Sequence, residues 1–209
     1  TISDGTKADK LVYAVYKLDE QNNNTPVLQN VVGSTNGQFI KDDFQSGDNV
    51  KITLAKGQTY QVAFWAQDGD CTAYDTDDLT KVEVDYTNAV NNDELRDAFF
   101  KTVEFTVAGN KTIDVILKRP FAQINVGVYK TDWEAAVASG IEIEKSTVII
   151  ENAATSINLL TGAVGPETTD VKVTYSSAAI PTEELKVDQN KDGDFDDENE
   201  RYAWLSMSY

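Results

Sequence analysis

None of the 209 residues is a histidine. Its absence removes the commonest general base, the Ser-His-Asp and Cys-His arrangements, and every His-ligated zinc or iron site. Cysteine is nearly missing as well. Cys71 stands alone, so the chain is not a cystine-stapled module, and a buried, idle thiol is the expected role. No apolar run approaches the ~20 residues that cross a bilayer as a helix, and Thr1–Lys10 lacks a signal-peptide core, so any export signal is expected to have been removed. Positive charge is scarce: 18 Lys and Arg stand against 35 Asp and Glu, a net charge of −17. Such a surface repels polyanions, which excludes nucleic acid as the expected partner. Gly-rich phosphate loops, Gly-x-Ser-x-Gly elbows, heptads and fixed-period repeats are absent too. No nucleophile, base and oxyanion site can be assembled from named residues, so the chain is not expected to be an enzyme.

What is there is β-forming. Hydrophobic residues make up 41% of the chain, enough for one large or two small packed domains. Alternating apolar and polar residues, the period of a half-buried strand, predict about eleven short strands. They are Leu11–Leu18, Val27–Val32, Val50–Leu54, Tyr60–Gln67, Val82–Tyr86, Val103–Val107, Ile113–Leu117, Gln123–Tyr129, Thr147–Ile150, Val171–Tyr175 and Tyr202–Ser208. Turn-forming segments between them predict antiparallel sandwiches rather than βαβ units. One helix is expected over Trp133–Ala138, capped by Thr131-Asp132 and ended by Gly140, with a weaker helical pattern at Asp93–Phe99. The fold class is therefore all-β, an antiparallel sandwich with one or two short connecting helices.

The sharpest local pattern runs from Asp188 to Glu200. Asp188, Asn190, Asp192 and Asp196 place side-chain oxygens at positions 1, 3, 5 and 9 of a calcium loop, Gly193 occupies the turn position, and Asp194 supplies a backbone carbonyl at position 7. Position 12, where a bidentate Glu is expected, holds Asn199, flanked by Glu198 and Glu200. Strand patterns on both sides predict a long hairpin loop rather than a helix-loop-helix hand. The bland alternative is a solvated acidic loop that binds nothing. Seven acids and one lysine in 13 residues favour a divalent cation electrostatically, so Ca²⁺ is the one cofactor considered, and none is required. Trp65, Trp133 and Trp204 are expected in packing roles rather than as a sugar-stacking platform.

Val115–Val126 contains Leu117-Lys118-Arg119-Pro120-Phe121-Ala122-Gln123-Ile124, which resembles the L-K-R-x-x-A-x-I passage of fimbrillin-like proteins from Bacteroidetes. Lys10–Tyr16, Tyr60–Gln67 and Ala203–Tyr209 fit the same family in the same order. The resemblance implies a structural or adhesive subunit of a type V pilus, built from transthyretin-like β-sandwich domains. It also implies export as a lipoprotein, protease trimming after an Arg, and polymerisation by strand exchange with neighbouring subunits at the outer-membrane surface. Membrane attachment would then be only through a lipid anchor on a removed N-terminal segment. On this reading residues 1–165 form an N-terminal sandwich. Residues 166–209 supply further strands that start, or link to, a second domain, with Tyr202–Tyr209 as an opening strand lacking partners. The alternative is a secreted, non-polymerising sandwich that binds a glycan or protein ligand of the host or bacterial surface, with or without calcium.

Overall fold

The computed structural model describes residues 5–165, 172–182, 184–195 and 197–209. The elements run β1 (Lys10–Asp19), β2 (Thr25–Leu28), β3 (Gln38–Lys41), β4 (Thr59–Gln67), β5 (Tyr74–Asp75), β6 (Val82–Val84), β7 (Ala98–Thr106) and β8 (Ile124–Tyr129). After helix α1 (Lys130–Ala138) come β9 (Lys145–Glu151), β10 (Ser156–Ile157), β11 (Lys172–Ala179), β12 (Glu184–Lys186) and β13 (Arg201–Ser208). All pairings between these strands are antiparallel, so the all-β, sandwich-type fold class is as expected. The chain divides into two compact units. Thr1–Asp85, Glu94–Phe121 and Ala154–Thr168 form the first; Tyr86–Asp93, Ala122–Ala153 and Thr169–Tyr209 form the second.

In the first unit β2, β1, β4 and β7 lie side by side, and β3 also pairs with β1. Leu11, Tyr13 and Val15 of β1 pack with Tyr60, Val62, Phe64 and Ala66 of β4 to make the core on one face. Val12, Ala14, Tyr16, Ala63 and Trp65, on the other face, are also buried. There Trp65 meets Tyr74 of β5 edge-on, with ring centroids 5.1 Å apart. Burial on both faces explains why β1 and β4 are nearly continuous apolar runs instead of the half-buried alternation expected.

Two expected strands do not join a sheet. Val50–Leu54 and Ile113–Leu117 carry no ladder, yet Val50, Ile52, Leu54, Val115 and Leu117 pack on the β1–β4 core. Their alternation reports which side chains face the core, a requirement independent of backbone pairing. β2 stops at Leu28 rather than Val32, because the chain turns there and the Ser34 amide donates to the Val31 carbonyl at 2.9 Å. The weaker helical pattern at Asp93–Phe99 is a single 3-10 turn over Glu94–Arg96; Ala98 and Phe99 already pair with β4. Helix α1 starts after Tyr129 without a side-chain cap, so Thr131 and Asp132 lie in its first turn, where Asp132 favours the positive end of the helix dipole. Gly140, at φ +79°, ends it as expected.

In the second unit β11 pairs with β9, while β13 lies between β12 and β8. The Tyr202–Tyr209 segment is thus a central strand and not a partnerless opening one. Ala89, Val173 and Tyr175 form the core, joined by Tyr86, Val148, Ile150 and Ala153. Buried Asn91 ties the unit together: it accepts from Ser208 Oγ at 2.7 Å and donates to the Ser146 carbonyl at 3.0 Å. No helix among the described residues is long and apolar enough to cross a membrane.

Tyr16 gives the first unit a measurable pH limit. Burial first, and then the charge of Asp78, push its phenol up from 10.0 to about 12. The folded state holds this proton more tightly than the unfolded chain does. The associated stability is therefore complete below pH 10 and is lost as pH rises through about 12. Ultraviolet titration is expected to show a phenol ionising near 12, accompanied by alkaline destabilisation; Asp78→Asn should lower that value.

Candidate functional site

The first unit carries an open cleft of about 700 Å³ beside the β5–β6 hairpin. Register builds it. Tyr74 pairs with Val84 and Asp75 with Glu83, so the apolar pair turns inward while the two carboxylates stand opposite each other on the wet face. Like charges in directly opposed positions repel, and Lys81 offsets this by an ion pair to Glu83. That hydrogen bond, followed by the Glu83 charge, raises the Lys81 ammonium above its ordinary value. Asp77 and Asp85 add two more exposed carboxylates to the rim, alongside the hydroxyls of Thr72, Thr76 and Thr155. Lys10 is the one cation lining the cleft among the described residues.

The backbone beneath these groups is pinned. The Tyr74 hydroxyl donates to the Arg96 carbonyl, and the Arg96 guanidinium donates to the Asp85 carbonyl at 2.9 Å. The Asp85 amide donates to the Ala73 carbonyl at 2.8 Å, and Gln38 donates to the carbonyls of Thr76 and Asp77 at 2.8 and 3.0 Å. The result is a fixed concave row of carboxylates that accept hydrogen bonds and of hydroxyls that donate or accept them. Sequence reasoning missed this cleft. Its acids come from two stretches, Asp75-Thr76-Asp77 and Glu83-Val84-Asp85, and the only signal was that both flank apolar residues at strand spacing.

The Asp-rich segment lies in the second unit and is, as expected, the loop of a hairpin, between β12 and β13. At its root Glu184 takes ion pairs from Lys130 at 2.7 Å and Arg201 at 2.9 Å, and hydrogen bonds first from Lys130 and then from Arg201 hold its carboxyl below the ordinary range. Within the loop the Gly193 amide donates to Asp188 Oδ2 at 3.0 Å, the Asp192 amide to Asn190 Oδ1 at 3.0 Å, and the Asp194 amide to Asp192 Oδ1 at 2.8 Å. The Asn190 side-chain amide bridges Asp192 Oδ2 and Asp197 Oδ2 at 2.9 and 3.2 Å. Asp196 lies outside the described residues. Among the described residues no three acidic side chains form a ready-made metal cage.

Glu200 is the residue the loop pattern did not single out. Its side chain is fully buried, and its Oε1 accepts from the amides of Gln189 and Asn190 at 2.8 and 3.2 Å. Its one trace in the sequence is its place directly before the apolar-alternating β13, which does not tell where its side chain goes. The tryptophans pack rather than form a platform. Trp65 and Trp204 are buried and Trp133 is half-buried on α1. Cys71 is buried and forms no disulfide.

In fold the chain is similar to a crystal structure of "putative polysaccharide binding proteins (DUF1812)" from Bacteroides thetaiotaomicron, with a TM-score of 0.50 and 13% identity. The match covers 97% of this chain and 63% of that one, so the chain spans less than two thirds of its neighbour's length. At that identity the likeness is one of fold alone. No curated protein matches the chain. One family model, described as a family of unknown function, matches residues 4–209, and the chain therefore belongs to that family, DUF6562.

Proposed function

We propose that this protein is a non-catalytic, cell-surface module that binds neutral or cationic polysaccharide in the acidic cleft of the first unit. The observation that carries the reading is the concave row of Asp75, Asp77, Glu83 and Asp85 with its threonine hydroxyls. Sugar hydroxyls are donors as well as acceptors, and an ionised carboxylate accepts two or more of their hydrogen bonds at once. The same carboxylates, on a chain of net charge −17, repel uronic or sulfated chains, which sets the substrate class. The Bacteroides structure similar in fold carries a polysaccharide-binding description, which supports this choice. Binding rather than hydrolysis fits an open cleft whose four carboxylates are all exposed, because a glycosidase sets its proton-donating carboxyl in an apolar pocket. The fimbrillin-like motifs support export and display at the outer surface on a lipid anchor.

A second reading, a fimbrial subunit that polymerises by strand exchange, is favoured by β8. It is an edge strand, paired only with β13 among the described residues, and it exposes Ile124 and Val126. An open edge of this kind is what a donor strand extends. Affinity electrophoresis through gels containing neutral glucans or mannans, chitosan, or alginate separates the readings. The binding module is expected to be retarded by a neutral or cationic polymer, to ignore alginate, and to stay monomeric after protease trimming. No retardation in any gel, together with filament growth after trimming, overturns it in favour of the fimbrial subunit.

A further inference from the structure

We propose that the Asp188–Glu200 hairpin loop is a calcium site closed from beneath by Glu200, a role the loop pattern assigns to position 12, where Asn199 stands. The argument rests on two oxygens. Glu200 Oε2 and Asp188 Oδ1 are buried and have no hydrogen-bond partner. Leaving a carboxylate oxygen dry and unpaired is costly, and this loop carries two such oxygens.

Both carboxylates are held in the same way. Each has one oxygen anchored by backbone amides, Asp188 Oδ2 by Gly193 and Glu200 Oε1 by Gln189 and Asn190, and each has its second oxygen unpartnered. A purely structural role for Glu200, capping the start of the loop, accounts for Oε1 and leaves Oε2 unexplained. A hard cation accounts for both unpartnered oxygens, since it needs one oxygen from each carboxylate and leaves the amide anchors in place. Three further oxygens stand at the alternate positions a wrapping loop uses: the Asn190 amide oxygen, the Asp192 carboxylate and the Asp194 carbonyl. Lys191 and Gly193, at φ +62° and +85°, supply left-handed bends between these positions. Asp192 now accepts from the Asn190 side-chain amide, so loading requires it to leave that amide and swing onto the ion. An irregular set of five protein oxygens with a strong negative charge, completed by water, selects Ca²⁺ over Mg²⁺, which demands a near-octahedral cage. The site belongs to the second unit, and the inference is independent of polysaccharide binding in the cleft of the first.

Terbium luminescence provides the test, because the Tyr202 hydroxyl donates to the Asn199 carbonyl at 3.0 Å and so sets a sensitising ring beside the loop. Tb³⁺ added to the intact chain is expected to give tyrosine-sensitised emission that saturates at one ion per chain and is displaced by Ca²⁺ but not by equal Mg²⁺. Glu200→Gln and Asp188→Asn should each weaken the apparent affinity by about tenfold or more, as the loss of one charged ligand implies. Asp77→Asn, in the other unit, should leave it unchanged. Absence of emission in the parent overturns the proposal, as does parent-like affinity in both loop variants. If circular dichroism shows that Glu200→Gln does not fold, Asp188→Asn, at a half-exposed position, decides alone.

Discussion

Trp65→Ala is expected to destabilise the first unit by about 3–5 kcal/mol, the largest effect of any single substitution considered. Trp65 is fully buried in the second half of β4. Its ring meets Tyr74 at 5.1 Å and Phe121 at 6.3 Å, both edge-on, while Tyr74 and Phe121 stack on each other at 5.8 Å. Truncation therefore removes the ring that two others are packed around, and the stiff flanking strands cannot close the void. It also breaks a polar chain: the indole donates to Gln67 Oε1 at 2.8 Å, and Gln67 donates to the Cys71 carbonyl at 3.0 Å, both buried. Losing several kcal/mol from a total that is typically about 5–15 kcal/mol should move the urea midpoint far toward water. Trp65→Phe, which keeps most of the volume and loses the indole N–H, should cost clearly less. Because Tyr74 opens β5, the alanine variant is also expected to loosen the cleft before global unfolding.

Arg119→Ala is expected to cost about 2–3 kcal/mol. Its guanidinium grips Asp97 with two bonds, Nε to Oδ1 and Nη2 to Oδ2, each 2.7 Å, and lies over the Phe99 ring at 5.0 Å. Asp97 is nearly fully buried, so deleting its partner leaves a desolvated carboxylate; the partial exposure of Arg119 brings the cost to or just below the lower end of the range for broken buried pairs. The control is the double variant Arg119→Ala, Asp97→Ala. If the pair acts as described, the double variant loses less than the sum of the two singles, and chemical denaturation of all four proteins measures the coupling. Additive losses, with little cost for Asp97→Ala alone, would mean that the stacking of Arg119 on Phe99 matters and the ion pair does not. Either way, Arg119 of the Leu117–Ile124 motif has a packing role here: it fastens the chain leaving Ile113–Leu117 to the turn that precedes β7.

How far the sequence could be read depended on which interaction each residue serves. β1, β4, β8, β9 and β13 were visible because their side chains answer to burial, and burial leaves a periodic trace. Val50–Leu54 and Ile113–Leu117 leave the same trace for the same reason, although their backbones join no sheet; pattern records the core-facing side chains and is silent on the ladder. Tyr202–Tyr209 was recognisable as a strand, but its two neighbours come from residues 124–129 and 184–186, and such long-range pairing has no local sign. The sites show the same division. The Asp188–Asp194 spacing was legible because loop ligands are local. The role of Glu200 was not, since it depends on a side chain folding beneath a hairpin. The cleft depends on the Asp75–Glu83 register, which brings together acids that the chain keeps apart.

Affinity of the folded protein for a neutral oligosaccharide, measured by calorimetric titration for the parent and for the double variant Asp75→Ala, Glu83→Ala, tests the account most directly. Those two carboxylates line opposite strands of the same cleft and are exposed, so their loss should leave thermal stability nearly unchanged. Hydrogen bonds to charged groups contribute about 1.5–3 kcal/mol each, so the variant is expected to bind at least about tenfold more weakly, while Asp188→Asn binds like the parent. Undiminished affinity in the cleft variant, or binding lost only in Asp188→Asn, would contradict the cleft as the polysaccharide site.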